Sequence, residues 1–206
     1  MLKTTLFLAL FLLFALNTKP LLGATNREPE QVIDTSGKIV RAGSHYYNII
    51  SATPNLSGIS LAFFTGNETC PLDVATIDGF HGLPVVFQPV NAKKGVVRVN
   101  TDLNIMFSYD SRCESMVWKL KDYDYATRQR FVTTNGVLGN PGANTISNWF
   151  RIEKYEDDYK LSYCPKVCPS CRHPCMDIGV YKDHNNWGKH RLALSNVPFK
   201  VRFQRA

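Results

Sequence analysis

The sequence predicts an all-β protein whose loops are stapled by disulfides. From Val32 onward, apolar and polar residues alternate in short segments, a pattern typical of strands that bury one face. Glycine, proline, asparagine and aspartate separate these segments. No segment keeps the periodicity of an α-helix for about ten residues. The chain also has six cysteines, an even number that can pair completely in an oxidising compartment.

The first 24 residues have the layout of a secretory signal peptide. Lys3 precedes an apolar run from Leu6 to Leu16, and the segment ends in small residues at Gly23 and Ala24. The run is about 11 residues long, whereas a helix that spans a bilayer needs about 20, so we predict no membrane anchor. We expect residues 1–24 to be removed and residues 25–206 to form a single domain, delivered to the extracellular space (apoplast) or a vacuole.

The charge pattern of the mature chain argues against a nucleic-acid partner. Without Lys3 and Lys19, the net charge of +7 falls to +5. The other lysines and arginines stand singly or in pairs such as Lys93-Lys94, with acids between them, and form no basic stripe. Two sequons for N-glycosylation agree with secretion. They are Asn55-Leu56-Ser57 and Asn67-Glu68-Thr69.

Three segments have the clearest strand patterns, each with one face predicted to be buried and one to be wet. The apolar faces are Leu103, Ile105, Phe107; Tyr159, Leu161, Tyr163; and Phe199, Val201, Phe203. The opposite faces are Asn104, Met106; Lys160, Ser162; and Lys200, Arg202, Gln204. About a dozen such segments fit a closed barrel or a sandwich better than alternating strands and helices. A threefold β-trefoil would divide the chain near residues 90 and 149, but the pattern alone does not choose between trefoil and sandwich.

Four of the six cysteines lie in one short segment, Cys164–Cys175. Four thiolates at such spacings could bind a tetrahedral zinc ion. Alternatively, two nested disulfides could join Cys164 to Cys175 and Cys168 to Cys171. Structural zinc sites usually separate their ligand pairs by more residues, and thiolates in secreted chains tend to oxidise, so we favour the disulfides. Cys70 and Cys113 would then form the third bond.

The sequence contains no recognisable catalytic motif. We find no Gly-x-Ser-x-Gly elbow, His-Glu-x-x-His helix or glycine-rich phosphate loop. The five histidines are dispersed, and the carboxylates of Glu156, Asp157 and Asp158 lie between strands, where we expect a solvated turn and not an acid–base pair. We therefore predict a binding protein and not an enzyme, with no cofactor and no bound metal.

Several segments, in order along the mature chain, resemble the signatures of one family. They are Val32-Ile33-Asp34-Thr35-Ser36-Gly37-Lys38 with Tyr46-Tyr47, Asn67-Glu68-Thr69-Cys70-Pro71-Leu72, Thr101-Asp102-Leu103-Asn104-Ile105, Trp149-Phe150-Arg151-Ile152, Tyr159-Lys160-Leu161-Ser162-Tyr163-Cys164-Pro165 and Arg191-Leu192-Ala193-Leu194. The family is that of the plant Kunitz-type (soybean trypsin inhibitor-like) protease inhibitors. The cysteine-rich segment is similar to that of the miraculin-like branch, where the nested pairing is found. The resemblance implies a β-trefoil of about twelve strands with pseudo-threefold symmetry.

The resemblance also implies substrate-like inhibition of a trypsin-like serine protease by a rigid, exposed loop. In this sequence the family's reactive loop corresponds to Asn91, Ala92, Lys93, Lys94 and Gly95. Lys93 would be the primary specificity residue, because its cation can reach the acidic specificity pocket of such a protease. A loop that is already ordered by folding loses little entropy when it binds.

Three departures from the family pattern leave an alternative open. Inhibitory relatives usually have a bulky apolar residue after the cleavage position, where Lys94 or Gly95 stands here. They also have an asparagine that braces the loop, and the matching position is Ala42. Gly95 itself adds backbone freedom. The alternative is a non-inhibitory, miraculin-like defence or recognition protein in which Lys93 belongs to a solvated turn. Six paired cysteines leave none for an intermolecular bond, so we expect a monomer.

Overall fold

Twelve strands make up the sheet structure of the described chain. The computed structural model describes residues 28–53, 57–62, 70, 72–91, 93, 95–110, 113–182 and 188–206. The strands are β1 (Tyr47–Ser51), β2 (Ile59–Ala62), β3 (Asp73–Ile77), β4 (Pro84–Pro89), β5 (Leu103–Phe107), β6 (Lys119–Leu120), β7 (Val132–Thr133), β8 (Arg151–Tyr155), β9 (Asp158–Tyr163), β10 (Met176–Lys182), β11 (Lys189–Ser195) and β12 (Lys200–Arg205). A 3-10 helix, Ala143–Asn148, precedes β8.

Six of these strands form a closed barrel. Antiparallel ladders join β1 to β4, β4 to β5, β8 to β9, β9 to β12, and β12 back to β1. Between β5 and β8 the ring is closed by a bridge from Leu103 to Phe150, the residue just before β8. Because the sheet closes on itself, these strands leave no long open edge.

The other six strands form three hairpins, β2–β3, β6–β7 and β10–β11. β3 pairs with both β7 and β11. A further bridge joins Phe131, the residue just before β7, to Ala193 of β11. Each third of the chain thus supplies two barrel strands and one hairpin, which is the β-trefoil. The boundary between the first and second repeats follows β4, as expected near residue 90. The second boundary lies beyond residue 149, in the turn at Glu156 and Asp157 between β8 and β9.

Aromatic rings fill much of the barrel. Phe203 packs edge-on against Phe87 and also contacts Tyr159, with ring centroids 5.5 and 5.4 Å away. Trp118 packs between Phe107 and Phe150, at 5.4 and 6.1 Å. These side chains come from all three repeats, so the core is shared by the whole barrel.

The alternating patterns place β5, β9 and β12 correctly, and their apolar faces are buried. The prediction that the opposite faces are wet is wrong at two positions. Asn104 is fully buried, where its amide donates to the carbonyl of Asn148 at 2.8 Å and accepts from the N–H of Gly139 at 2.7 Å. Ser162 is also buried and donates to Glu153 at 2.6 Å. Asn104 is paired with residues of the neighbouring segment 139–148, and Ser162 is paired across the sheet with Glu153 of β8, so both polar side chains are satisfied by hydrogen bonds within the protein.

The predicted solvated turn at residues 156–158 is also only partly correct. Glu156 and Asp157 are exposed in a turn, but Asp158 is buried at the start of β9. Its carboxylate accepts hydrogen bonds from the guanidinium of Arg202 and lies 3.3 Å from Nζ of Lys200. Asp158 therefore joins β9 to β12 as an ion-paired wall residue of the barrel.

The structure has three disulfides, and no described cysteine is free. Cys70 bonds Cys113, Cys164 bonds Cys175, and Cys168 bonds Cys171 inside that loop. The sulfurs at these positions are therefore joined to one another and are not thiolate ligands for zinc. The predicted signal peptide, residues 1–24, and the sequons at Asn55 and Asn67 lie outside the described residues. No helix in the described ranges is long and apolar enough to cross a bilayer.

Candidate functional site

The predicted reactive loop follows β4 and belongs to the connection between β4 and β5. Asn91 and Lys93 are exposed, and Gly95, at the end of the loop, is partly buried. Val90, at the start of the loop, is also exposed, at 44% of its surface. Ala92 and Lys94 lie outside the described residues. The structure thus presents the Lys93 side chain to solvent.

Both ends of the loop are held by main-chain hydrogen bonds. At the first end, the N–H of Val90 donates to the carbonyl of Asp102 at 2.9 Å. At the second end, the N–H of Ala42 donates to the carbonyl of Gly95 at 3.2 Å, and Arg41 forms an antiparallel bridge with Val96. The span between these anchors is short, which restricts the conformations open to Lys93.

The segment that follows the loop lies between two stretches near the start of the described chain. The N–H of Val97 donates to the carbonyl of Val40 at 2.9 Å, and its own carbonyl accepts from the N–H of Val32 at 3.0 Å. The N–H of Val99 donates to the carbonyl of Glu30 at 2.9 Å. Val32, Val40 and Val97 are fully buried. The returning arm of the loop is therefore built into the core.

Ala42 lies at the base of the loop, as the resemblance implied, but its side chain can form no hydrogen bond. Its methyl group packs against the core, and only its backbone N–H reaches the loop, through Gly95. Gly95 has φ of +61°, a left-handed conformation that glycine adopts without strain. Among the described residues, the contacts at this end of the loop are therefore main-chain hydrogen bonds.

Asp102, which anchors Val90, is itself held by a buried ion pair. Its Oδ1 lies 2.6 Å from Nε of Arg151, and the two side chains are each 5% exposed. Its Oδ2 accepts a hydrogen bond from the backbone N–H of Lys166 at 2.6 Å. Lys166 lies between Cys164 and Cys168, inside the stapled loop. A continuous set of contacts therefore joins the disulfide-stapled loop to the base of the candidate reactive loop.

The sequence alone does not predict this role of Asp102, Arg151 and Lys166. Asp102 and Arg151 appeared only as parts of family signatures, and their partners are far away in the sequence. A charged residue at the edge of an apolar strand is the one local signal, because such a residue is rarely buried unless it is paired.

The described residues offer no metal site. No group of three or more His, Cys, Asp or Glu among them is arranged to hold an ion. His173 is half-buried and is hydrogen-bonded to Pro174, and its ring packs edge-on against Tyr163 with centroids 6.0 Å apart. His173 is therefore not a fully exposed loop residue, because its ring packs against Tyr163.

Comparison with known proteins agrees with this fold. A family model described as "Trypsin and protease inhibitor", of the legume Kunitz type, matches residues 32–205. The chain is 43% identical to miraculin of Synsepalum dulcificum over 94% of this chain and 91% of that protein. It is 41% identical to Kunitz trypsin inhibitor 5 of Arabidopsis thaliana over 97% of each.

A solved structure is also similar, that of a Kunitz-type cysteine protease inhibitor from potato. Its TM-score is 0.74 and its sequence identity is 35%, and the match covers 86% of this chain and 98% of that one. Proteins of this group are protease inhibitors and not enzymes. The chain belongs to the plant Kunitz family of trypsin and protease inhibitors, with miraculin among its relatives.

Proposed function

We propose that this protein is a secreted inhibitor of a trypsin-like serine protease, with Lys93 as its primary specificity residue. The observation that supports this most directly is an exposed Lys93 in a loop that is anchored at both ends, by Val90 on Asp102 and by Gly95 on Ala42. The other loop residues of the proposal are Asn91, Ala92 and Lys94.

Inhibition would follow from the rigidity of the loop. Lys93 would place its ammonium in the acidic specificity pocket while the adjacent backbone lies in the cleft as a substrate does. Because folding has already fixed both arms of the loop, binding loses little further conformational entropy. After any cleavage the anchored ends would stay close together, so the bond could reform and the products would leave slowly.

The test is titration of the purified mature protein into trypsin, chymotrypsin and subtilisin. We expect tight inhibition of trypsin and much weaker inhibition of the other two. Lys93→Ala should weaken trypsin inhibition at least about 100-fold, since it removes a charge pair that is fully desolvated in the complex. Lys119→Ala removes an exposed lysine from β6 and is the matched control, so it should inhibit normally. No loss of trypsin activity at micromolar inhibitor would contradict the proposal.

A second candidate function is that of a miraculin-like defence or recognition protein that does not inhibit proteases. Ala42 favours it, because the side chain at this position adds no hydrogen bond to the loop. The relative described as a cysteine protease inhibitor makes papain a useful additional target in the same assay. If Lys93→Ala left the protein's biological effect intact while protease binding was lost, the recognition function would be supported over the inhibitory one.

We further propose that residues 1–24 are cleaved as a signal peptide and that the mature domain, residues 25–206, is a glycosylated monomer in the apoplast or a vacuole. The oxidised state of all six cysteines supports an oxidising destination. N-terminal sequencing of the native protein tests the cleavage. Endoglycosidase treatment followed by mass measurement tests the glycans at Asn55 and Asn67, and sedimentation tests the monomer.

A further inference from the structure

A surface groove of about 420 Å³ lies between the β6–β7 loop and the β10–β11 hairpin. We call it the Tyr123 groove. Apolar side chains and two arginines line it, and Arg128 is exposed while Arg130 is partly buried. The residues that matter here are Tyr123, Arg128, Arg130, Pro174, Met176 and Leu194.

The groove is cationic. Within the described ranges no carboxylate lies within ion-pair distance of Arg128 or Arg130 and none lines the groove, whereas four other surface grooves each include at least one. Asp124, an acid of the same loop, accepts hydrogen bonds from the backbone N–H groups of Thr127 and Ala126 within its own turn. The backbone hydrogen bond from Thr127 is the main reason that the pKa of Asp124 is lowered. The two arginines are left for an external anion.

Arg128 has a backbone conformation that does not suit an arginine. Its φ is +57°, in the left-handed region, where glycine or asparagine is less strained. Three of the other four described non-glycine residues with positive φ are asparagines. The turn would form more readily with glycine at this position, and what the arginine adds is a cationic side chain on the rim of the groove.

Two exposed tyrosines extend the surface beside the arginines. Tyr125 is 85% exposed and packs edge-on against Tyr123, with ring centroids 5.1 Å apart. The loop that carries them is closed by reciprocal backbone hydrogen bonds between Asp124 and Gln129, so the rings are presented in a fixed arrangement. Tyrosine and arginine, together with tryptophan, are enriched among the residues that supply most of the binding energy of protein interfaces. A rigid loop also loses little entropy on binding.

We propose that the Tyr123 groove binds an acidic peptide segment of a partner protein. Carboxylates of the segment would pair with Arg128 and Arg130, and an apolar side chain would contact Met176 and Leu194. The groove residues are not among those that contact the arms of the Lys93 loop, which are residues 30–33, 40–42 and 102, although Pro174 belongs to the stapled loop that reaches Asp102 through Lys166. The inference therefore does not depend on the proposed inhibition.

The experiment uses fluorescein-labelled hexapeptides in which aspartate or glutamate alternates with phenylalanine or leucine, together with counterparts that have asparagine and glutamine in place of the acids. Fluorescence anisotropy with the mature protein should show saturable binding of the acidic peptides. Their amide counterparts should bind at least about tenfold more weakly. Arg128→Gly should weaken binding of the acidic peptides at least about tenfold, while its melting temperature is unchanged or higher because glycine suits this φ.

Two controls separate this site from the reactive loop. Lys119→Gln removes a cation from the same hairpin but outside the groove and should bind the peptides normally. Lys93→Ala should lose trypsin inhibition and keep peptide binding, and Arg128→Gly should do the reverse. The proposal is overturned if no acidic peptide binds below about 1 mM, if Arg128→Gly binds as the wild type does, or if a sulfated oligosaccharide binds in preference to every peptide.

Discussion

Asp102 has two partners that are distant in the sequence, the guanidinium of Arg151 and the N–H of Lys166. We expect Asp102→Asn to lower the free energy of unfolding by about 3–5 kcal/mol, because it leaves the buried cation of Arg151 uncompensated. Since the carbonyl of the same residue anchors Val90, the inhibition constant for trypsin should also rise by about tenfold, as a looser loop loses more entropy on binding. Urea unfolding and inhibitor titration measure the two effects.

Asp73 provides a matched control for Asp102. It is also buried and ion-paired, 2.6 Å from Lys121 and 3.7 Å from Arg191, but it lies in β3, one of the hairpin strands. Asp73→Asn should destabilise the fold without changing the inhibition constant at temperatures where the variant is folded. Equal weakening of inhibition by both variants would show that the effect of Asp102 is global and not local to the loop.

Asp158 makes the stability of the barrel depend on pH. The hydrogen bonds from Arg202 hold the pKa of Asp158 below its usual value, against the opposing effect of burial and with the help of Lys200. Because the folded-state pKa is depressed, the stabilisation is complete above the unfolded pKa of about 3.9 and is lost as the pH falls through the folded value. Asp158→Asn should therefore be less stable than the wild type by about 1–3 kcal/mol at pH 7, with the difference vanishing in acid.

The measurement is a series of urea midpoints between neutral pH and pH 3. Asp157→Asn, at the exposed neighbouring position, should follow the wild type throughout. A constant difference between Asp158→Asn and the wild type at every pH would mean that packing, and not the charge of Asp158, is responsible.

The three disulfides should differ in their effect on stability according to the length of chain that each closes. The sequence separations are 43 for Cys70–Cys113, 11 for Cys164–Cys175 and 3 for Cys168–Cys171. Chain entropy gives losses of about 4, 3 and 2 kcal/mol when each pair is replaced by serines. Urea unfolding of the three double variants tests the order. A larger loss for the innermost pair than for Cys70–Cys113 would contradict the entropic explanation.

The strands differ in how well the sequence predicts them. β5, β9 and β12 alternate clearly enough to be recognised, whereas β6 and β7 have only two residues each and no period to detect. The burial of Asn104 could not be predicted either, because it depends on Gly139 and Asn148, which are remote in the sequence and cover the outer side of β5. Local patterns identify strands, but they do not show what packs on the second face.

Barrel closure explains why the pattern left trefoil and sandwich undecided. β12 pairs with β1, and the ring depends further on the bridge between Leu103 and Phe150. These pairings are long-range, and the three repeats share too little sequence for periodicity to reveal them. The position of the candidate reactive loop likewise came from family resemblance alone, since Lys93-Lys94 has no local pattern that separates it from a solvated turn.

Phe203 tests whether the closed barrel unfolds as one unit. Its ring, from β12, contacts Phe87 of β4 and Tyr159 of β9, and its carbonyl accepts the N–H of Thr35 at 2.8 Å. Phe203→Ala should lower the free energy of unfolding by about 3–5 kcal/mol, because the lost ring leaves a cavity where strands from two repeats meet. Phe80→Ala, at a ring that is 43% exposed, should change the free energy of unfolding much less.

In both variants, near-ultraviolet circular dichroism of the buried tryptophans and far-ultraviolet circular dichroism should give one coincident transition. Separate transitions in Phe203→Ala would show that the repeats hold together independently and that closure between β1 and β12 does not make the barrel cooperative.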